Sequence, residues 1–477
     1  MTITTALRTL DSEAADGYFS ELYGAEKGVI AEQKKRYTAL VEQFRRRFGD
    51  TRGDTRGDTR SDTRSGSAGI RIFSSPGRSE IGGNHTDHNH GKALTASVHL
   101  DTLGVVAACE ESRISLCDST YHEDYAIAIT EHPEHGTGSS ALVRGIVAGF
   151  KNAGFATGGF KGCFESRVLP GSGISSSAAF EMLICGILNA LYNNGAIPME
   201  KLAAIGRYAE NVFWGKASGL LDQMACAAGG VAALDFEDPA APALERIPFD
   251  FESHGYRLVI VNTGGSHANL SPEYSAIPAE MKSVASFFGK EVLRGLTVEE
   301  LTRRLPALRQ TCGDRAVLRA LHFIEENNRV EEEIKALKEN DFAAFLRLAQ
   351  ESGDSSYRWL QNAAASGAIQ EQNIPICLAM TELFFHLHGL DGDARGGAAR
   401  AACRLHGGGF AGVIQAFLPL EYVDEYRVWM RTLLGFPGGG AGQNPADHDP
   451  VFVMSIRPCG VRELHAQLPH QADAPAQ

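Results

Sequence analysis

CFESRVLPGSGISSSAAFEMLICGILNALY, residues 163–192, is the stretch on which the reading of this chain turns. A strand-like run stops at a Pro-Gly turn, a Gly/Ser loop follows, and a long apolar helix starts directly behind it. Glycine lets a backbone approach a phosphate closely, and a helix start offers unpaired N–H groups at the positive end of its dipole. Gly171, Ser172, Gly173, Ser175, Ser176 and Ser177 are therefore candidate phosphate contacts, the serines adding hydroxyls and a candidate Mg²⁺ ligand. The loop lacks the Gly-Lys-Ser/Thr ending of a P-loop. Its alternative reading is a turn with a serine N-cap.

Upstream, residues 77–91 read GRSEIGGNHTDHNHG. Arg78, Glu80, Asn84, His85, Asp87, His88, Asn89 and His90 among glycines cannot form a core. They suit a loop that hydrogen-bonds a polar ligand. A metal site from His85, Asp87, His88 and His90 and an ordinary polar turn are the alternatives. Downstream, GLLDQ (219–223) sets Asp222 among apolar neighbours, where an acid is either functional or a helix N-cap. A last glycine cluster, GGGFAG, occupies 407–412.

The rest of the chain frames these loops. Residues 12–47 carry apolar side chains near a 3.6-residue period and are expected to be helical. Three GDTR repeats and one SDTR follow, with no apolar residue to bury, so 48–68 is expected to be a disordered insertion. Beyond about residue 280 the pattern is mostly helical, over 298–305, 315–338 and 341–352. The tail from 466 to 477 is expected to be unstructured. The chain has 477 residues and a formal net charge of −13. That length suits two or three domains. That charge argues against nucleic acid or an anionic membrane as the main partner. Nine cysteines without a C-x-x-C pair argue for reduced thiols in a cytoplasmic protein. Neither a signal peptide nor a membrane span is expected.

Taken in order, the motifs resemble the galactokinase family of the GHMP small-molecule kinases. That family's G-R-x-N-L-I-G-E-H-T-D-Y-N is similar to residues 77–89 here, its G-L-S-S-S-A to GISSSA, its G-I-M-D-Q to GLLDQ and its G-G-G-F-G-G to residues 407–412. His267, Leu270, Glu273 and Tyr274 match H-x-L-x-x-E-Y. The resemblance spans about 70–460. Asn84 stands where the family has glutamate, the segment before the phosphate loop (LPGSGI) is one residue shorter, and the arginines that follow E-Y are absent.

The resemblance implies an α+β fold of two domains, the first like domain 2 of ribosomal protein S5 (69–280) and the second ferredoxin-like (281–465), behind a helical extension (1–47). It implies ATP and Mg²⁺, and phosphorylation of galactose to galactose 1-phosphate. Asp222 matches the catalytic aspartate and Arg78 its supporting arginine. Ser177 and Glu210 match the metal ligands. Asn84, His85, Thr86, Asp87, Gly219 and Tyr274 match sugar-contacting positions. The implied partners are a small sugar and ATP, with a monomer or weak oligomer expected. The alternatives are another kinase of the superfamily acting on a different sugar, and a non-catalytic sugar sensor.

Overall fold

The computed structural model describes residues 1–50, 69–129, 134–168, 173–216, 218–265, 270–392, 398–435 and 449–465. The tail 466–477, all but residues 48–50 of the expected insertion, and Gly171, Ser172 and His267 lie outside the described residues. In chain order the described strands are β1 (Arg71–Gly82), β2 (Lys92–Cys109), β3 (Arg113–Asp118), β4 (Glu123–Ala128), β5 (Gly159–Ser166), β6 (Val231–Asp235), β7 (Ala243–Ile247), β8 (Tyr256–Asn262), β9 (Ala402–His406), β10 (Val413–Pro419), β11 (Val451–Met454) and β12 (Arg462–Leu464).

The first sheet runs β12-β1-β2-β5-β3-β4, with β6 on β2 and β7 on β6. Its central strands are buried on both faces, because successive side chains point opposite ways into two different cores. Phe73, Val106 and Phe164 enter the main core with the helices Gly138–Asn152 and Ser176–Tyr192. Ile72, Leu103, Val105 and Cys163 enter a second core under the N-terminal helices. Those helices number three rather than one: Ile3–Asp11, Glu13–Tyr23 and Lys27–Phe48. The extended backbone at Ser12 and the left-handed Gly24 divide them. The first helix begins ahead of the expected span, capped where Thr5 N–H donates to Thr2 Oγ1 at 3.0 Å.

The second sheet is antiparallel and runs β11-β8-β10-β9. Apart from helices inserted after β8 between Ser271 and Ser355, the order β8, helix Asn373–Leu387, β9, β10, helix Val423–Leu433, β11 is the βαββαβ of a ferredoxin-like domain. This redraws the expected boundary at residue 280. β8 makes its ladder bonds with β10 and β11, so the second unit begins near residue 256. β12 returns to the first sheet, beside β1. Leu258 and Ile260 face the main core, whereas Val259 and Val261 face the ferredoxin helices, so the two units share packing.

Asp101, fully buried on β2, binds these layers together. It accepts from Arg36 Nη1 of the third helix at 2.5 Å and from Arg457 Nη1, just ahead of β12, at 3.3 Å. The hydroxyls of Tyr23 and Ser74 donate to its other oxygen. Burial alone would raise its pKa, but the two guanidinium groups outweigh burial and hold it below the usual carboxylate range. The stability it contributes is therefore complete above about pH 4 and is lost only in stronger acid. Asp101→Asn leaves buried Arg457 without its counter-ion and Arg36 with Glu165 alone, 2.8 Å from its Nε. It is expected to cost about 3–5 kcal/mol and to lower the melting temperature of the whole chain in a thermal scan at neutral pH. An unchanged melting temperature would show that the cluster is dispensable.

Candidate active site

The helix Ser176–Tyr192 begins beside β1, and its first residues meet those of the helix Leu221–Ala228. Ser175, in the left-handed region at φ 59°, occupies the N-cap position without capping. Its hydroxyl turns to Asp222 Oδ2. The helix start is thus left without a side-chain cap, as a phosphate site requires. Asp222 is not an N-cap either; it lies in the first turn behind Leu220.

Arg78 and Asp222 form the centre of the site. Arg78 Nε and Nη2 reach Asp222 Oδ1 at 2.8 and 2.7 Å, and Nη1 donates to Gly173 O at 2.7 Å. The guanidinium is buried, whereas the aspartate side chain keeps 30% of its surface exposed, so the carboxylate faces outward on a fixed support. Burial would raise the Asp222 pKa, but Arg78 and Ser175 outweigh it and hold the group ionised, below its ordinary value. Gly173 has φ +74°, and a Cβ there would come within 2.2 Å of Val413 Cγ2 on β10. Only glycine lets the phosphate loop lie this close to the strand that follows GGGFAG.

Ser177 and Glu210 also meet, with Ser177 Oγ 2.9 Å from Glu210 Oε1. Glu210 sits on the π-helical turn Ala209–Trp214, a distortion common at functional sites. Lys216 Nζ holds the same oxygen at 2.6 Å. Ser218 Oγ and Gln223 Nε2 hold the other at 2.6 and 3.1 Å. Gln223 Nε2 also donates to buried Glu181 at 2.8 Å. The sequence reading missed Lys216, Ser218 and Glu181. Gln223 was in view as the last residue of GLLDQ, but its task was not.

The loop 83–91 divides into lining and framework. Asp87 borders the site, and a Cβ on Gly219 would fall 1.7 Å from Asp87 Oδ2. His85 turns Nε2 to Gly408 O at 3.0 Å, and burial lowers its pKa to about 4, so it is neutral at pH 7 and donates that bond. Tyr274 donates to Gly409 O at 2.9 Å and stands edge-on to Phe410, 5.3 Å between ring centroids. Two expected sugar contacts are corrected. Thr86 is fully buried and donates to Gly83 O at 2.9 Å, pinning the loop. Asn84 is also fully buried. Its Nδ2 donates to Glu80 Oε1 at 2.9 Å and to Gly407 O at 2.6 Å, and its Oδ1 accepts from Asn362 Nδ2 at 2.9 Å. Protein groups use its amide, which leaves none of it for a sugar. Among the described residues no cluster of three or more His, Cys, Asp or Glu side chains forms a metal site, so the histidine-rich loop does not carry that alternative.

Known proteins are similar to this chain. The model for the galactokinase galactose-binding signature matches residues 63–108, and that for the GHMP kinases N terminal domain matches residues 140–230. A galactokinase of Glaesserella parasuis serovar 5 (strain SH0165) is 30% identical over 366 residues, covering 76% of this chain and 88% of its own length. The chain belongs to the galactokinase family. A galactokinase of Actinobacillus pleuropneumoniae is 29% identical over 367 residues, with the same two coverages of 76% and 88%. The crystal structure of Lactococcus lactis galactokinase complexed with galactose shares the fold at a TM-score of 0.69 and 23% identity, covering 90% of this chain and 99% of that one. The kinase therefore has the GHMP fold implied by its motifs. Among the described residues no helix is long and apolar enough to cross a membrane.

Because Gly219 leaves room for Asp87, Gly219→Ala is expected to push that carboxylate aside. A sugar hydroxyl held by that carboxylate would then lose its acceptor, and the sugar KM would rise about tenfold or more. Steady-state kinetics would show this with the ATP KM unchanged; an unaltered sugar KM would remove Asp87 from the binding site.

Proposed function

We propose that Asp222 and Arg78 carry the ATP-dependent phosphorylation of galactose in this member of the galactokinase family, yielding galactose 1-phosphate. The observation behind this reading is the Arg78–Asp222 pair, outward-facing and bonded to Ser175 at the uncapped start of the helix Ser176–Tyr192. Phosphoryl transfer proceeds through a loose transition state with charge spread over the equatorial oxygens, so catalysis is mostly positioning and electrostatics. The open helix start and the backbone from Gly173 receive the phosphates of ATP. Asp222, held ionised, orients the attacking sugar hydroxyl and accepts its proton. Arg78 keeps Asp222 in place and offers positive charge toward the transferring group. Asp87, His85 and Tyr274 line the sugar side, with GGGFAG closing over it.

The pair Ser177 and Glu210 fits Mg²⁺, which typically takes one or two protein carboxylates and completes its shell with phosphate oxygens and water. Bound there, Mg²⁺ would neutralise phosphate charge. Lys216, half-exposed and now on Glu210, lies where it could turn to a phosphate oxygen. Nine free cysteines suit a reducing compartment such as the cytoplasm.

Asp222→Asn preserves shape but removes the proton acceptor, and is expected to lower kcat by about 10²–10⁴. Calorimetry should find galactose binding retained. Near-normal turnover would make Asp222 structural. Glu210→Gln is expected to raise the Mg²⁺ concentration needed for half-maximal rate, read by titrating Mg²⁺ at fixed ATP. An unchanged requirement would place the metal elsewhere.

A further inference from the structure

The family pattern places an amide at the position of residue 80 and a carboxylate at that of residue 84. This chain reverses both, with Glu80 and Asn84. The exchanged residues meet in this chain, where Asn84 Nδ2 donates to Glu80 Oε1 at 2.9 Å. Arg404 supports the reversed form, its Nη2 lying 3.2 Å from Glu80 Oε1. Glu80 shares a face of β1 with Arg78, since the register with β2 is regular from Arg78 to Glu80. Oε1 is engaged, whereas Oε2 has no protein partner among the described residues and is not fully enclosed. One carboxylate oxygen, on the strand face that also carries Arg78, is thus left without a protein partner among the described residues.

We propose that Glu80 is the carboxylate that accepts a hydrogen bond from a sugar hydroxyl in this enzyme, and that Glu80 and Asn84 form a carboxylate–amide dyad whose ends have been exchanged. The inference rests on the galactose kinase reading above. Asn84 is the positioning member: it orients Oε1 and joins the dyad to Gly407 O and Asn362. The charged or titratable groups around Glu80 are Arg78 on β1, Arg404 and His406 on β9, Asp222 on the helix Leu221–Ala228 and Glu333 on the helix Asp314–Lys338. Burial raises its pKa to about 7, partly offset by Arg404 and Asn84. Its strength as an acceptor therefore depends on pH near neutrality, growing as pH rises through 7.

Four forms of the full-length protein test the dyad: wild type, Glu80→Gln, Asn84→Glu and the double exchange Glu80→Asn with Asn84→Glu. Glu80→Gln keeps an Oε1 acceptor for Asn84 and Arg404 while replacing Oε2. It is expected to raise the galactose KM about tenfold, with kcat and the ATP KM little changed. In wild type the galactose KM should rise as pH falls below about 7; in Glu80→Gln that dependence should flatten. Asn84→Glu sets two carboxylates together and removes the donor to Gly407 O, so its melting temperature should fall. The double exchange should recover both melting temperature and galactose KM, a coupling that independent sites would not show. An unchanged galactose KM in Glu80→Gln, or a double exchange no better than Asn84→Glu, would overturn the inference. Calorimetry with galactose separates this from the function itself. Wild type that binds without turnover sinks the kinase reading and leaves Glu80 to be judged on affinity. Wild type that turns over while Glu80→Gln binds equally tightly sinks the dyad alone.

Discussion

The buried carboxylate of Asp101 is the constraint on which the remaining geometry rests. Its partners come from the N-terminal helices, from β1 and from the segment ahead of β12, so one charge closes three layers. Arg457 also donates to Ser74 Oγ at 2.6 Å, and its backbone N–H reaches Ser97 O at 2.9 Å. Ser97 is the residue opposite Arg78 across the β1–β2 ladder. The cluster thus helps hold the register of the strand that carries the site. A slip of one residue would turn Arg78 and Glu80 to the other face, because side chains alternate along a strand.

From that strand the site is assembled by contacts between distant elements. Arg78 reaches Asp222 and the phosphate loop, and Arg78 N–H donates to Ile174 O at 3.0 Å, so the loop is sewn to β1 by backbone and side chain together. On the opposite side, Asn84 ties β1 to Gly407 and Asn362, and Glu326 accepts from the backbone N–H of Gly83 at 3.0 Å. These bonds couple the ferredoxin-like unit and the inserted helices to the first sheet. Buried polar groups at such a junction must be satisfied, and their satisfaction leaves few ways for the two units to dock. The loop 83–91 and the loop ahead of the helix Ser176–Tyr192 are consequently held by one network rather than by two separate domains.

Much of this was legible in the residues. Gly173, Ser175, Ser177, Asp222 and Arg78 were singled out by motif, and they converge within hydrogen-bond distance or one bond beyond. The reversal at residues 80 and 84 is legible too, as glutamate where the family pattern has asparagine and asparagine where it has glutamate. Lys216 and Glu181 carried no motif signal, since a lysine six residues past a glutamate and a glutamate inside an apolar helix are ordinary in sequence. The boundary between the domains was misplaced because β8 reads as a strand in either sheet, and its partners β10 and β11 lie more than 150 residues further on.

By itself, then, the sequence determined the family, the order of the loops and the identity of the central Arg78–Asp222 ion pair. Those follow from short spacings: glycine, serine and a helix start must stand next to one another along the chain to receive a phosphate. Tertiary structure alone decided which polar residues of the motifs look into the site and which hold it up. Asn84 and Thr86 belong to the same run as Asp87, yet they are enclosed while Asp87 borders the site. Spacing along a chain cannot express that difference, because burial depends on what packs against a residue. Here the partners of Asn84, Gly407 and Asn362, come from 323 and 278 residues away.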